Sequence, residues 1–211
     1  MPKICTLQGS PHAEGASAHA LAAFTAALPV SAVSFPPVPP LPEPLAIPAF
    51  TSTSPHIHSF TAYTMAAHPC DGCGYCDEHP LRCRHRDLDG FYAALEACGL
   101  WILATPVYHR SFPAPVKAVL DRLQLYYAAR FTHRLRPPIA TPKAVALITT
   151  GGSGRDDGVY LEQQLIPQLT VLNARLMVTC HLKGLDSGWT STHERQAQEA
   201  GATFVFPPDA P

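Results

Sequence analysis

No stretch of the 211 residues approaches the ~20 consecutive apolar residues that a membrane span requires. Charge is scarce too. Asp, Glu, Lys and Arg make up 15% of the chain, the formal net charge is −1, and basic residues form no block. A nucleic-acid or membrane-surface partner therefore has no electrostatic footprint here. The amino terminus carries no signal-peptide pattern, so a cytoplasmic protein is the expectation. The chain has no internal repeat. It also lacks the G-x-G-x-x-G dinucleotide fingerprint and the lysine of a Walker A loop. What remains is 46% hydrophobic, which excludes disorder, and long enough for one sizeable domain over 1–211.

The order of local signals is strand, small polar loop, helix, repeated. Lys3–Leu7 is an apolar run closed by Gly9-Ser10-Pro11. Gly15 and Ser17 precede an alanine-rich helix over Ala18–Leu28. A loop of this kind points backbone N–H groups and a helix start at an anion, although a capped helix after a turn has the same pattern. Phe35–Pro55 holds eight prolines, which exclude regular helix and predict an extended insertion. A proline-rich recognition ligand is the minor alternative there. His56–Tyr63 is the second strand, with Val30–Phe35 as its competitor. Asp87 is placed to cap a helix ending at Gly99. Leu100–Ala104 and Ala144–Ile148 are apolar throughout, as strands buried on both faces must be. Leu176–Cys180 is the fifth strand. Helices are predicted over Ala114–Tyr127, Asp157–Leu172 kinked or divided at Pro167, and Ser191–Ala200 stopped by Gly201. Five strands alternating with helices build a parallel α/β sheet covered on both faces. Ligands of such sheets sit at the carboxyl ends of the strands. Three loops there carry ligand-like chemistry: 9–17, 105–111 and 149–155.

Four of the seven cysteines fall between Cys70 and Cys83, spaced C-x2-C-x2-C-x6-C. Cysteines this close converge on a soft metal centre more readily than they pack a core. In a reducing compartment they are thiols or ligands rather than disulfides. Cys5, Cys98 and Cys180 lie in predicted strand or helix and read as core thiols. His68, His79 and His85 border the loop and read as solvated rather than ligating.

Thr105-Pro106-Val107-Tyr108, then Ser111, then Pro115-Val116-Lys117-Ala118-Val119-Leu120-Asp121-Arg122 resembles the pattern of flavodoxin-like NADPH-dependent FMN reductases. Gly9-Ser10-Pro11, Gly15-Ala16-Ser17 and His68-Pro69-Cys70-Asp71-Gly72-Cys73 fit the same family. The compact cysteine run is similar to that of its iron-sulfur flavoprotein branch. The resemblance covers Lys3 to Gly152 except for the proline-rich insertion. It implies a flavodoxin-like, doubly wound five-stranded parallel sheet of order 2-1-3-4-5 that binds FMN. The phosphate is expected among Ser10, His12, Gly15, Ala16 and Ser17. Thr105, Pro106, Val107, Tyr108 and His109 are expected along the ribityl chain and one side of the ring. Thr150, Gly151 and Gly152 are expected at its other edge. His12 stands where the family carries Arg, and an imidazole is the weaker anion partner. Tyr108 either stacks on the ring or packs a strand end. Asp121 and Arg122 are assigned to packing or subunit contact.

The resemblance implies a flavin-dependent oxidoreductase, with NAD(P)H as a candidate reductant and no side-chain acid–base pair. Cys70, Cys73, Cys76 and Cys83 are the expected ligands of a [4Fe–4S] cluster that exchanges electrons with FMN. A clusterless thiol loop and a zinc site are the alternatives. The competing functions are a clusterless FMN or quinone reductase and a non-catalytic flavodoxin-like binding module. The expected partner is a redox donor or acceptor, a small molecule or a ferredoxin-like protein. A homodimer or homotetramer is expected from the prevalence of closed symmetric assemblies.

Overall fold

The computed structural model describes residues 3–29, 51–54 and 57–205. Val30–Phe35, the competing second strand, and most of the proline-rich insertion lie outside the described residues. Strands β1 (Ile4–Gln8), β2 (Thr51–Ser54), β3 (Ile57–Thr61), β4 (Leu100–Pro106), β5 (Lys143–Thr150) and β6 (Ala174–Leu182) form one sheet of order β2-β3-β1-β4-β5-β6. The five strands β3, β1, β4, β5 and β6 pair in parallel. They are the predicted strands in the predicted 2-1-3-4-5 order. The sheet gains an edge the sequence did not announce: Thr51–Ser54, inside the predicted insertion, pairs antiparallel with β3. Four residues free of proline after a proline-rich run are enough for an edge ladder.

The helices are α1 (Ala16–Ala26), α2 (Ala62–Met65), α3 (Tyr75–Glu78), α4 (Asp89–Ala97), α5 (Ala114–Asp121), α6 (Gln124–Phe131), α7 (Gly158–Leu169) and α8 (Ser191–Ala202). Alternate residues of each central strand feed opposite faces, as the period of 2 demands. Trp101, Leu103, Val145 and Leu147 join Phe91, Leu95, Val119, Tyr126, Leu161 and Leu165 in one cluster under α4–α7. Leu100, Ile102, Ala104, Ala144, Ala146 and Ile148 join Phe24, Ala197 and Phe204 on the other face, under α1 and α8. Cys5, Cys98 and Cys180 are buried, as core thiols should be.

Several helix details differ from expectation, each for a local reason. Predicted Ala114–Tyr127 divides into α5 and α6 at Arg122-Leu123, because the Arg122 side chain turns inward and fixes the chain there. Asp87 does not cap α4, whose first flanking residue is Leu88; its carboxylate is engaged by Arg122 instead. Gly201 does not stop α8 but lies within it, where a Cβ would stand 2.3 Å from the Phe24 carbonyl oxygen. Pro167 lies inside α7 without dividing it, and the helix ends two residues later.

Candidate functional site

The three predicted loops meet at the carboxyl edge of the sheet. Strands β4 and β5 run further than expected, so Thr105, Pro106 and Thr150 are the last strand residues rather than loop. Loop one leaves β1 at Gly9, whose N–H donates to the Ala104 carbonyl at 2.7 Å. A Cβ on Gly9 would lie 2.6 Å from both Thr105 Oγ1 and Val116 Cγ2, so only glycine lets the loop hug β4 and α5. Ser10 Oγ accepts from the His12 N–H at 3.1 Å, and Gln8 Nε2 donates to the His12 carbonyl at 3.2 Å. Gly15 flanks α1 without a capping side chain. The N–H groups of Ala16 and Ser17 have no acceptor among the described residues. A helix start left open in this way is suited to an anion.

Ser17 ties loop one to loop three, its Oγ lying 2.7 Å from Thr150 Oγ1 in a buried hydrogen bond. The Val107 N–H ties loop two to the same residue through the Thr150 carbonyl at 2.9 Å. Loop two then folds as a tight hairpin, with Tyr108 and Ser111 exchanging both backbone hydrogen bonds. The two residues at its tip, His109 and Arg110, have φ of 51° and 60°. Positive φ at both positions is the primed turn that hairpins favour, here without the glycine that makes it cheap. Tyr108 is exposed at the base of this hairpin.

A cavity of about 550 Å³ opens between these loops and the end of β6. Of the expected flavin residues, Val107, His109, Gly151 and Gly152 line it. Ser10, His12, Gly15, Ala16, Ser17, Thr105, Pro106, Tyr108 and Thr150 stand outside its walls, joined to them through the Thr150 bonds just described. Among the lining residues not nominated singly, Arg110 and Arg155 lie inside two of the predicted loops, whereas His181 and Lys183 lie outside all three. Arg110 is held by Asp157 at 3.1 Å and lies 5.0 Å over the Tyr160 ring. His181 Nδ1 is 2.8 Å from Thr149 Oγ1, and its Nε2 faces Glu162 at 3.5 Å. The β6 end carried no glycine-rich or hydroxyl-rich signal, so only the fold could place His181 and Lys183.

The cysteine segment occupies a second cavity of about 400 Å³ lined by Cys70, Cys73, Cys76 and Cys83 together with Arg122, His85 and Leu125. All four expected ligands thus share one chamber. Gly72 and Gly74 have φ of 67° and 71°, and the tight turns between the cysteines depend on them. Asp71 gathers the loop. It receives hydrogen bonds from His85 and the Cys73 N–H, joined by Arg84, and these hold its carboxyl at about 2. Burial and the neighbouring Asp77 carboxylate push the Cys76 thiol up. His68 and His85 stack at 3.9 Å, and Tyr75 stacks on His79 at the same separation. His68 is exposed and His79 and His85 are half-buried, so these loop histidines stay in reach of solvent while their rings stack. Among the described residues no three His, Cys, Asp or Glu side chains converge on a single metal ion.

Arg122 anchors the chamber and was undervalued in the sequence. Its side chain is 1% exposed. It donates to the carbonyls of His68 (2.9 Å) and His85 (2.8 Å) and to the Asp87 carboxylate (2.8 and 3.3 Å).

Comparison with known proteins fits this geometry. The sequence model of the family described as NADPH-dependent FMN reductase matches residues 2–182. An iron-sulfur flavoprotein of Archaeoglobus fulgidus is 31% identical over 132 residues, 62% of this chain and 64% of that protein. One from Methanosarcina thermophila is 32% identical over 85 residues, 40% of this chain and 41% of that protein. The matched region thus spans less than two thirds of either relative. Among solved structures, an NAD(P)H:quinone oxidoreductase from Methanothermobacter marburgensis superposes with a TM-score of 0.65 at 14% identity, over 95% of this chain and 94% of that one. That likeness carries the fold alone. The match over residues 2–182 settles the membership: the chain belongs to the NADPH-dependent FMN reductase family.

Proposed function

We propose that the protein is an FMN-dependent oxidoreductase that passes electrons between FMN, held by the three loops, and a [4Fe–4S] cluster, held by Cys70, Cys73, Cys76 and Cys83. The observation that carries this is the gathering of all four cysteines around one chamber. Thiolates are the standard ligands of such clusters. The names of the two iron-sulfur flavoprotein relatives support the same reading.

When bound, FMN supplies hydride acceptance and single-electron release, and the cluster supplies one-electron carriage. The chain's own part is position. Ala16 and Ser17 present N–H groups to the phosphate, and the Ser17–Thr150 bond fixes loop one against loop three. Tyr108 offers an exposed ring to stack on the flavin. Arg110, Arg155 and Lys183 give the larger cavity a basic lining that suits an anionic reductant such as NAD(P)H.

The test is purification without air, with an absorbance spectrum and an iron and acid-labile sulfide assay. Flavin bands with iron and sulfide each near four per chain are the expected outcome. Flavin without iron and sulfide leaves the clusterless reductase. A colourless protein that takes up no added FMN leaves the non-catalytic module.

A further inference from the structure

We propose that Arg122 is a positioning residue for the cysteine chamber. Its terminal nitrogens clamp the two ends of the cysteine segment, and its Nε–H donates to a sulfur of the group the cysteines hold. This rests on the cluster reading above.

The argument is a proton inventory. A guanidinium carries five N–H donors. Four are used, on the carbonyls of His68 and His85 and on both oxygens of Asp87. His68 lies two residues before Cys70 and His85 two residues after Cys83, so one planar group ties the entry of the segment to its exit. The fifth donor, Nε–H, is buried and has no acceptor among the described residues. A buried donor to an ionised partner does not go unused without a sizeable cost. Arg122 lines the same chamber as the four cysteines. A sulfur-bearing anionic group there supplies the missing acceptor. Asp87 balances the guanidinium charge, held by Arg122 and by the His68 N–H. Tyr92 completes the support, its hydroxyl donating to the Arg122 carbonyl at 3.1 Å. Hydrogen bonds and positive charge near the sulfurs raise a cluster's reduction potential, because the reduced cluster carries the extra negative charge. Lysine keeps the charge but has neither the fork nor the Nε–H.

The experiment compares wild type with Arg122→Lys. Both are reconstituted anaerobically with ferrous iron, sulfide and dithiothreitol, and their folding is checked by far-UV circular dichroism. Iron and sulfide per chain, the cluster midpoint potential in a dithionite titration, and hydrogen exchange of residues 68–87 in the metal-free protein are then read. The variant is expected to retain several-fold less iron, to shift its potential negative, and to exchange faster across 68–87. Wild type that loads while the variant matches it in all three readouts overturns this inference alone. Wild type that takes up neither iron nor sulfide overturns the cluster reading and the Nε–H assignment with it. Should Arg122→Lys not fold, Asp87→Asn weakens the same clamp and leaves Nε–H in place. It is expected to lose iron faster with little change in potential, and iron retention equal to wild type overturns the clamp.

Discussion

His109 and Arg110 occupy the left-handed region at the hairpin tip beside the larger cavity. Each non-glycine residue there costs about 1–2 kcal/mol, and such strain collects at ligand sites. His109→Gly is therefore predicted to stabilise the protein by about 1 kcal/mol. The melting temperature should rise by roughly 2–4 °C, while FMN is held less tightly because a cavity wall is lost. Calorimetry and a flavin titration read the two together; a lower melting temperature contradicts the strain argument. Asp87 gives the pH prediction. Burial alone would push its carboxyl up, but hydrogen bonds from Arg122 and the His68 N–H, with the Arg122 charge, outweigh it and hold the group below its ordinary value. A carboxyl depressed by folding takes up its proton first in the unfolded chain. Its stabilisation is thus complete above the unfolded value of about 4 and drains away as pH falls through the folded one. Urea midpoints measured from about pH 5 down to about pH 3 should fall more steeply for wild type than for Asp87→Asn. Parallel slopes would remove Asp87 from the acid response.

At the scale of elements, the central strands were legible because burial on both faces leaves an uninterrupted apolar run, as in Leu100–Ala104. The phosphate-type loop was legible because small residues must follow β1 where the backbone packs against Thr105 and Val116. Residues whose role comes from distant chain were not. Arg122 reads as a packing or subunit-contact residue, and only the fold shows that its partners are His68 and His85, 54 and 37 positions away. His181 and Lys183 reach the cavity only through the pairing of β6 with β5. Gly201 is the clearest case. Local rules read glycine after a predicted helix as a stop, yet α8 continues through Gly201, where a side chain would collide with α1 at Phe24. Gly201→Ala is accordingly predicted to destabilise by about 1–3 kcal/mol, despite alanine's better helix propensity. Chemical unfolding decides between the two effects, since a variant more stable than wild type would mean that propensity wins over packing.

At the scale of the molecule, both cavities hang from one stretch of chain. Strand β4 ends in the hairpin that walls the larger cavity, α5 follows, and Arg122 closes α5 inside the cysteine chamber. The ties that hold the flavin loops together, Ser17 to Thr150 and Val107 to Thr150, involve no cysteine and no residue of 68–87. The clamp on 68–87 runs through Arg122 and touches none of the three flavin loops. The two sites are therefore joined by sequence, yet are held by separate bonds. This separation predicts how ligand-linked stability divides. FMN at about 100 times its Kd should stabilise the native state by about 2.7 kcal/mol, which for a domain of this size is roughly 5–10 °C in melting temperature. Cys70→Ser with Cys73→Ser should keep that increment in full, measured without iron in both proteins. Ser17→Ala breaks the buried bond to Thr150 and should shrink it, by about 1 kcal/mol for one lost hydrogen bond. If the cysteine variant loses the FMN increment as well, the two cavities share a single cooperative unit, and the chain's division of labour between Thr150 and Arg122 does not hold.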